Sequence, residues 1–131
     1  MNGDAETEVP VANPRLRFIH YKGQAIFLID LSHCEPRELL VLVEQIRVQV
    51  ARHPPNSLLA LTDFTGVRVD KNVATRMKEV LTLDRPYVKR SAWVGTKDLP
   101  HVFYENFKSF SRREFPTFAT REEAMEWLVQ E

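Results

Sequence analysis

Two acidic residues, Asp63 and Asp70, flank a Thr-Gly loop that follows a short apolar run. Carboxylates that share a loop can act as an acid–base pair or hold a metal ion. The same residue type also favours turns and helix caps, because a carboxylate accepts hydrogen bonds from nearby backbone N–H groups. No Glu or His lies at a ligand spacing beside them, and hard cations need several oxygens together. We therefore interpret Asp63 as a turn residue and Asp70 as a helix cap, and we expect no metal.

Three basic residues, Arg68, Lys71 and Arg76, lie in or just after the same loop. Together with a helix N-terminus they could bind an anion such as phosphate, because free N–H groups and the helix dipole favour negative charge. The loop has no Gly-rich cradle, and Gly66 alone supplies backbone freedom. A solvated basic loop is therefore the preferred interpretation, with anion binding as the alternative.

His33 and Cys34 are adjacent where the first helix should start, and a helix N-terminus can lower the pKa of a thiol. A nucleophile also needs a base within reach, and neighbours in sequence seldom point together. The four histidines are scattered, and with one cysteine they give no zinc spacing. These patterns predict neither catalysis nor a cofactor, so we do not expect an enzyme.

Composition places the chain among ordinary globular domains. Its 131 residues, 44% hydrophobic and 27% charged, suffice for one domain with its own core. Eighteen basic residues balance eighteen acidic ones, so no net charge attracts nucleic acid. One cysteine excludes an internal disulfide, and no apolar run reaches the roughly 18–20 residues that span a bilayer. Residues 1–14 are acidic and indicate a flexible tail, not a secretory signal, so we expect a cytoplasmic protein without membrane insertion.

The periodicity of the chain predicts strands that alternate with helices. Such alternation favours a mostly parallel sheet, here with one antiparallel edge from an opening hairpin. We expect a single two-layer or three-layer α/β domain over residues 15–131, with the order ββαβαβαβα. The predicted strands are 15–20, 25–31, 57–64, 86–95 and 115–118, and the predicted helices are 36–52, 71–83, one that opens at Lys97 or Asp98, and one after Thr120.

Helix starts are marked by local signals. Ser32 and Glu35 have the spacing of a capping box, and Pro36 suits a first helical turn because its missing N–H is not needed there. Thr120 and Glu123 form a second capping box before the last helix.

Three segments carry a resemblance to a known family: LTDFTGV at 61–67, PYVKRSAWVG at 86–95 and FPTFATREEAMEWL at 115–128. Their order and spacing resemble the STAS domain, and most of all its small stand-alone SpoIIAA-like proteins. The resemblance covers residues 15 to 129 or so. It implies a STAS-like α/β fold and a regulatory role through docking on a partner protein.

In phosphorylated members of that family, an Asp–Ser pair opens the helix after the third strand, and a kinase modifies the Ser. The same alignment places Asp70 at the Asp and Lys71 at the Ser. A lysine cannot accept phosphate, and its positive charge does not mimic phosphoserine. The resemblance therefore implies a docking surface without the phosphorylation switch. That surface would comprise Thr65, Arg68, Asp70, Lys71 and Arg76 and would meet an acidic partner.

The alternative function is a carrier of a small apolar ligand or lipid, because folds that resemble this one hold such molecules between helix and sheet. Trp93, Phe103, Tyr104 and Phe107 would line that pocket, although the aromatic stripe also fits plain core packing. A third surface is the outer face of the first helix, where two valines at 41 and 48 lie opposite the core stripe. Exposed valines there would suit a partner or a homodimer.

Overall fold

The computed structural model describes residues 13–99 and 116–130 of the chain. Its elements are β1 (Leu16–Tyr21), β2 (Gln24–Asp30), α1 (Pro36–Val50), β3 (Leu58–Asp63), α2 (Lys71–Asp84), β4 (Val88–Val94), β5 (Thr117–Phe118) and α3 (Arg121–Leu128), with single 3₁₀ turns at Arg85–Tyr87 and Thr96–Asp98. The strands form one sheet in the order β1-β2-β3-β4-β5. β1 is antiparallel to β2, and the other neighbouring pairs are parallel. The predicted α/β class with an antiparallel edge is confirmed.

The opening hairpin forms because a two-residue turn of suitable type joins β1 to β2. Tyr21 pairs with Gln24, which leaves Lys22 and Gly23 as the turn. Both have positive φ, 51° and 81°, as the tightest hairpin turns require. The predicted opening hairpin is therefore confirmed.

The start of α1 differs from the predicted capping box. Glu35, not Ser32, is the N-cap, and its N–H donates to the side chain of Glu38 at 3.1 Å. Pro36 holds the first helical position, as expected, and this places Ser32 too far upstream to cap. The Ser32 hydroxyl instead donates to Asp30.

The start of α2 is as predicted. The Asp70 side chain accepts a hydrogen bond from the Val73 N–H at 2.9 Å, which makes it the N-cap. Such a cap satisfies one of the N–H groups that the first turn leaves without a partner.

The sheet separates two apolar layers. On one face, alternate strand residues such as Phe27 and Ile29 pack against α1 and α2. On the other face, the intervening residues, such as Ile26 and Leu28, pack against α3. This alternation follows from the twofold side-chain period of a strand, and it gives the three-layer arrangement.

Two further points concern membrane-spanning helices and the predicted helix after β4. No helix within residues 13–99 and 116–130 is both long and apolar enough to cross a bilayer. Residues Thr96–Asp98 form a single 3₁₀ turn, and the rest of the helix predicted to open at Lys97 or Asp98, with its aromatic stripe of Phe103, Phe107 and Phe110, lies outside the described residues.

Candidate functional site

The strands β2 and β3 end in the same way, with an aspartate followed two residues later by a hydroxyl. Asp30 Oδ1 accepts from the Ser32 N–H at 3.0 Å and from its hydroxyl. Asp63 Oδ1 accepts from the Thr65 N–H at 2.9 Å and from its hydroxyl at 2.6 Å. These local bonds close the two turns, so Asp63 is the turn residue that the sequence predicts.

A cation from the last helix bridges the two aspartates. Asp30 and Asp63 are direct neighbours in the parallel register. Arg121 donates from Nε to Asp63 Oδ2 at 2.8 Å, and its Nη2 lies 3.3 Å from Asp30 Oδ1. Burial raises the pKa of Asp30, but the hydrogen bonds from Ser32 and the charge of Arg121 outweigh it, so the pKa is lowered. Both carboxylates thus have bound partners within the chain.

The residues of the predicted docking surface are spread over the loop and the first turns of α2. The Thr65 hydroxyl is bound to Asp63, and Asp70 caps the helix. Arg68 lies 3.4 Å from Glu35, while Lys71 is exposed at the first position of α2. Arg76 lies farther along the helix and is bound elsewhere: its Nη2 donates to Glu44 at 2.8 Å and its Nη1 to Glu79 at 3.0 Å. The basic groups therefore do not converge on one point.

The loop that carries Gly66 is fixed by its neighbours. His33 N–H donates to the Thr65 carbonyl at 2.8 Å, and Gly66 N–H donates to Asp98 at 2.7 Å. Gly66 has φ of 66°, and a Cβ there would lie 2.3 Å from the His33 ring, so glycine is required. Beside this loop Cys34 is fully buried, and burial raises the pKa of its thiol. The helix start therefore does not activate this cysteine.

A cavity of about 80 Å³ lies between the sheet and the helices α1 and α2. Trp93, one of the four residues named in the pocket hypothesis, lines this cavity and packs edge-on against Phe64 with ring centroids 4.7 Å apart. The other three predicted pocket residues, Phe103, Tyr104 and Phe107, lie outside the described residues. The remaining wall is mostly apolar and comes from all the surrounding elements: Ile29, Leu31, Val43, Ile46, Val50, Ala60, Met77, Val80, Leu81 and Val88.

Polar groups also reach this cavity. Thr62 and Ser91 are buried on the neighbouring strands β3 and β4, and both side chains line the cavity. Asp84, the last residue of α2, lines it too and is buried. Sequence reasoning did not single out Asp84. Its position in the sequence could have identified it, because Asp84 continues the buried stripe of Val73 and Met77 along the helix.

The outer face of α1 is apolar in part, as predicted. Val41 and Val48 are 55% and 52% exposed, opposite the buried stripe of that helix. Leu40 is 38% exposed and lines a groove with Asp70 between the starts of α1 and α2. This face is open to solvent in the single chain.

The described residues thus offer three features that could bind another molecule: the cavity under α1 and α2, the basic loop beside Leu40, and the outer face of α1 with Val41 and Val48. Within residues 13–99 and 116–130, no three His, Cys, Asp or Glu side chains are arranged to hold a metal ion. Comparison of the chain with known protein families, with curated proteins and with solved structures gave no match.

Proposed function

We propose that this protein is a non-catalytic binding domain that holds a small, mainly apolar ligand between the sheet and the helices α1 and α2. The observation that carries the proposal is the cavity of about 80 Å³ at that place. The acids that could have acted in catalysis support the same conclusion, because Asp63 is bound to Arg121 and Asp70 caps a helix.

The cavity is unusual for a core. Protein interiors are packed as densely as organic crystals, and voids larger than a water molecule are few. One water needs roughly 10–15 Å³ of such space, so about 80 Å³ has room for several. An apolar wall with a few polar groups is the usual composition of a small-molecule site. Here Thr62, Ser91 and Asp84 supply the polar groups.

The same volume limits the ligand. Engineered apolar cavities of about 150 Å³ hold a benzene molecule. A cavity of about 80 Å³ therefore fits a short hydrocarbon group, and a longer chain would need the helices to move apart. The proposed ligand is accordingly small.

A titration with 1-butanol tests this function, with binding followed by methyl NMR. We expect saturable shifts of methyl signals on the cavity side, such as those of Val43, Ile46 and Leu81. The methyl groups of Ile26 and Leu128, on the opposite face of the sheet, serve as an internal control and should not respond. Shifts of equal size on both faces, or none at all, would contradict the proposal.

Filling the cavity gives a second arm of the test. Ala60 lines the cavity, and Ala60→Val adds two methyl groups there. Losing the space for even one buried CH₂ costs about 0.8 kcal/mol, so we expect the affinity for 1-butanol to fall at least about fourfold. The exposed Ala119→Val is the matched control and should leave the affinity unchanged.

A second candidate function is docking on an acidic partner protein through Thr65, Arg68, Asp70, Lys71 and Arg76. The observation that favours it is the exposed Leu40 beside this loop, because exposed apolar area next to charges is typical of interfaces.

Charge reversal tests the docking function. Arg68→Glu combined with Lys71→Glu should remove any protein that copurifies from the source, as measured by native mass spectrometry. The matched control reverses two exposed cations elsewhere, Arg17 on β1 and Lys89 in β4, and should leave the complex intact. If both double variants behave alike, this loop is not the docking surface.

A further inference from the structure

The cavity contains a side chain whose charged form is costly, the carboxylate of Asp84. It is 8% exposed and lines the cavity. It is also the last residue of α2, where the helix dipole disfavours a negative charge. Among residues 13–99 and 116–130, no hydrogen bond or ion pair reaches this carboxylate. Burial, the helix dipole and the lack of a bound partner among the described residues therefore each disfavour the charged form of Asp84.

The positive charge of Arg47 on α1 stabilises the charged form of Asp84 only in part. Burial raises the pKa of Asp84 and the charge of Arg47 lowers it, and the net result is a pKa of about 7. Arg47 forms no ion pair with Asp84 in the described chain, and its own Nε is buried without a hydrogen-bond partner. A buried acid left open in a cavity is more typical of a binding group than of a stabilising one.

We propose that the cavity takes a small apolar amine, whose ammonium group binds the Asp84 carboxylate while its hydrocarbon part fills the space between α1, α2 and the sheet. This inference rests on the proposed ligand-binding function and names the class of ligand. An ammonium group has three N–H donors. Asp84 can accept one of them in a charge-assisted hydrogen bond, and the hydroxyls of Thr62 and Ser91 line the same cavity as further acceptors.

Other ligand classes fit these groups less well. A carboxylate ligand would place a second negative charge beside Asp84, which is unfavourable in a poorly solvated site. A neutral alcohol can donate one hydrogen bond to Asp84 but brings no opposite charge, and a hydrocarbon brings neither. Of these classes, only an amine brings both an opposite charge and N–H donors to Asp84.

The test compares n-butylamine with 1-butanol, which has nearly the same size and shape but no charge. The titrations are followed by methyl NMR at pH 8. At this pH the alkylamine is protonated, and the pH is above the pKa of Asp84. The ammonium adds a charge-assisted hydrogen bond and an opposite charge that the alcohol lacks, so we expect n-butylamine to bind at least about tenfold more tightly than 1-butanol. Asp84→Asn should abolish this preference, whereas Glu79→Gln, an equal charge change on the exposed side of α2, should preserve it.

The outcomes separate the two proposals. If 1-butanol binds in the cavity and n-butylamine binds no better, the amine inference is wrong and the ligand-binding function stands. If neither binds, the proposed function itself fails. Retained binding of 1-butanol by Asp84→Asn shows that the variant is folded with its cavity intact. An amine preference that survives in that variant overturns the role of Asp84.

Discussion

Replacing Trp93 by alanine is expected to lower the free energy of unfolding by about 3–5 kcal/mol, the usual cost of removing a large buried aromatic side chain. Trp93 is 1% exposed at the centre of the layer between the sheet and the two helices α1 and α2. Its ring packs edge-on against Phe64, and such pairs add to the energy of burial alone. The removed indole would also enlarge a cavity that already exists.

Urea denaturation followed by circular dichroism measures this loss. The chain has two tryptophans, and Trp127→Ala is the matched control because Trp127 is only partly buried on the opposite face of the sheet. We expect the control to lose less than half as much. Equal losses in the two variants would contradict the central position given to Trp93. Since Trp93→Ala is this costly, Ala60→Val is the better probe of ligand binding.

Replacing Arg121 by alanine is expected to lower the free energy of unfolding by about 2–3 kcal/mol. The partner Asp63 is 6% exposed, and loss of the guanidinium leaves that carboxylate buried without its counter-charge. Breaking a fully buried pair costs about 3–5 kcal/mol. The Arg121 side chain is 35% exposed, and solvent screening makes the expected loss smaller.

Two comparisons make the Arg121 prediction specific. Arg76→Ala removes a cation that is paired with the exposed Glu44 and Glu79, and it should cost less than about 1 kcal/mol. In a double-mutant cycle, Asp63→Asn should reduce the effect of Arg121→Ala, because the charge that needs Arg121 is then absent. Additive effects in that cycle would show that Arg121 acts by packing or through Asp30, and not through Asp63.

Local signals in the sequence predicted most of the fold. Pro36 marked the first turn of α1, and Asp70 marked the cap of α2. Each of these acts on backbone groups within a few residues, so its effect can be derived without the rest of the chain. Ser32 shows where this reasoning fails, because Asp30 competes for the hydroxyl that a capping box would use.

The candidate site was harder to predict because it depends on residues that are distant in sequence. Arg121 reaches Asp63 across 58 positions, and no spacing rule connects them. The cavity arises where side chains of α1, α2 and the sheet fail to fill their shared space, and that is a property of volumes in three dimensions. Asp84 was accessible in principle, since an acid on a buried helical stripe is rare.

The placement of α3 on its own side of the sheet has a consequence for synthesis on the ribosome. The helices α1 and α2 lie between strands in the chain, so the face with Phe27 and Ile29 can be covered as each strand emerges. The opposite face, with Ile26 and Leu28, receives α3 only when residue 128 has been made. Nascent chains that expose apolar strand surface are prone to aggregate. Among the described helices α3 is made last, so this face of the sheet waits longest for its cover during translation.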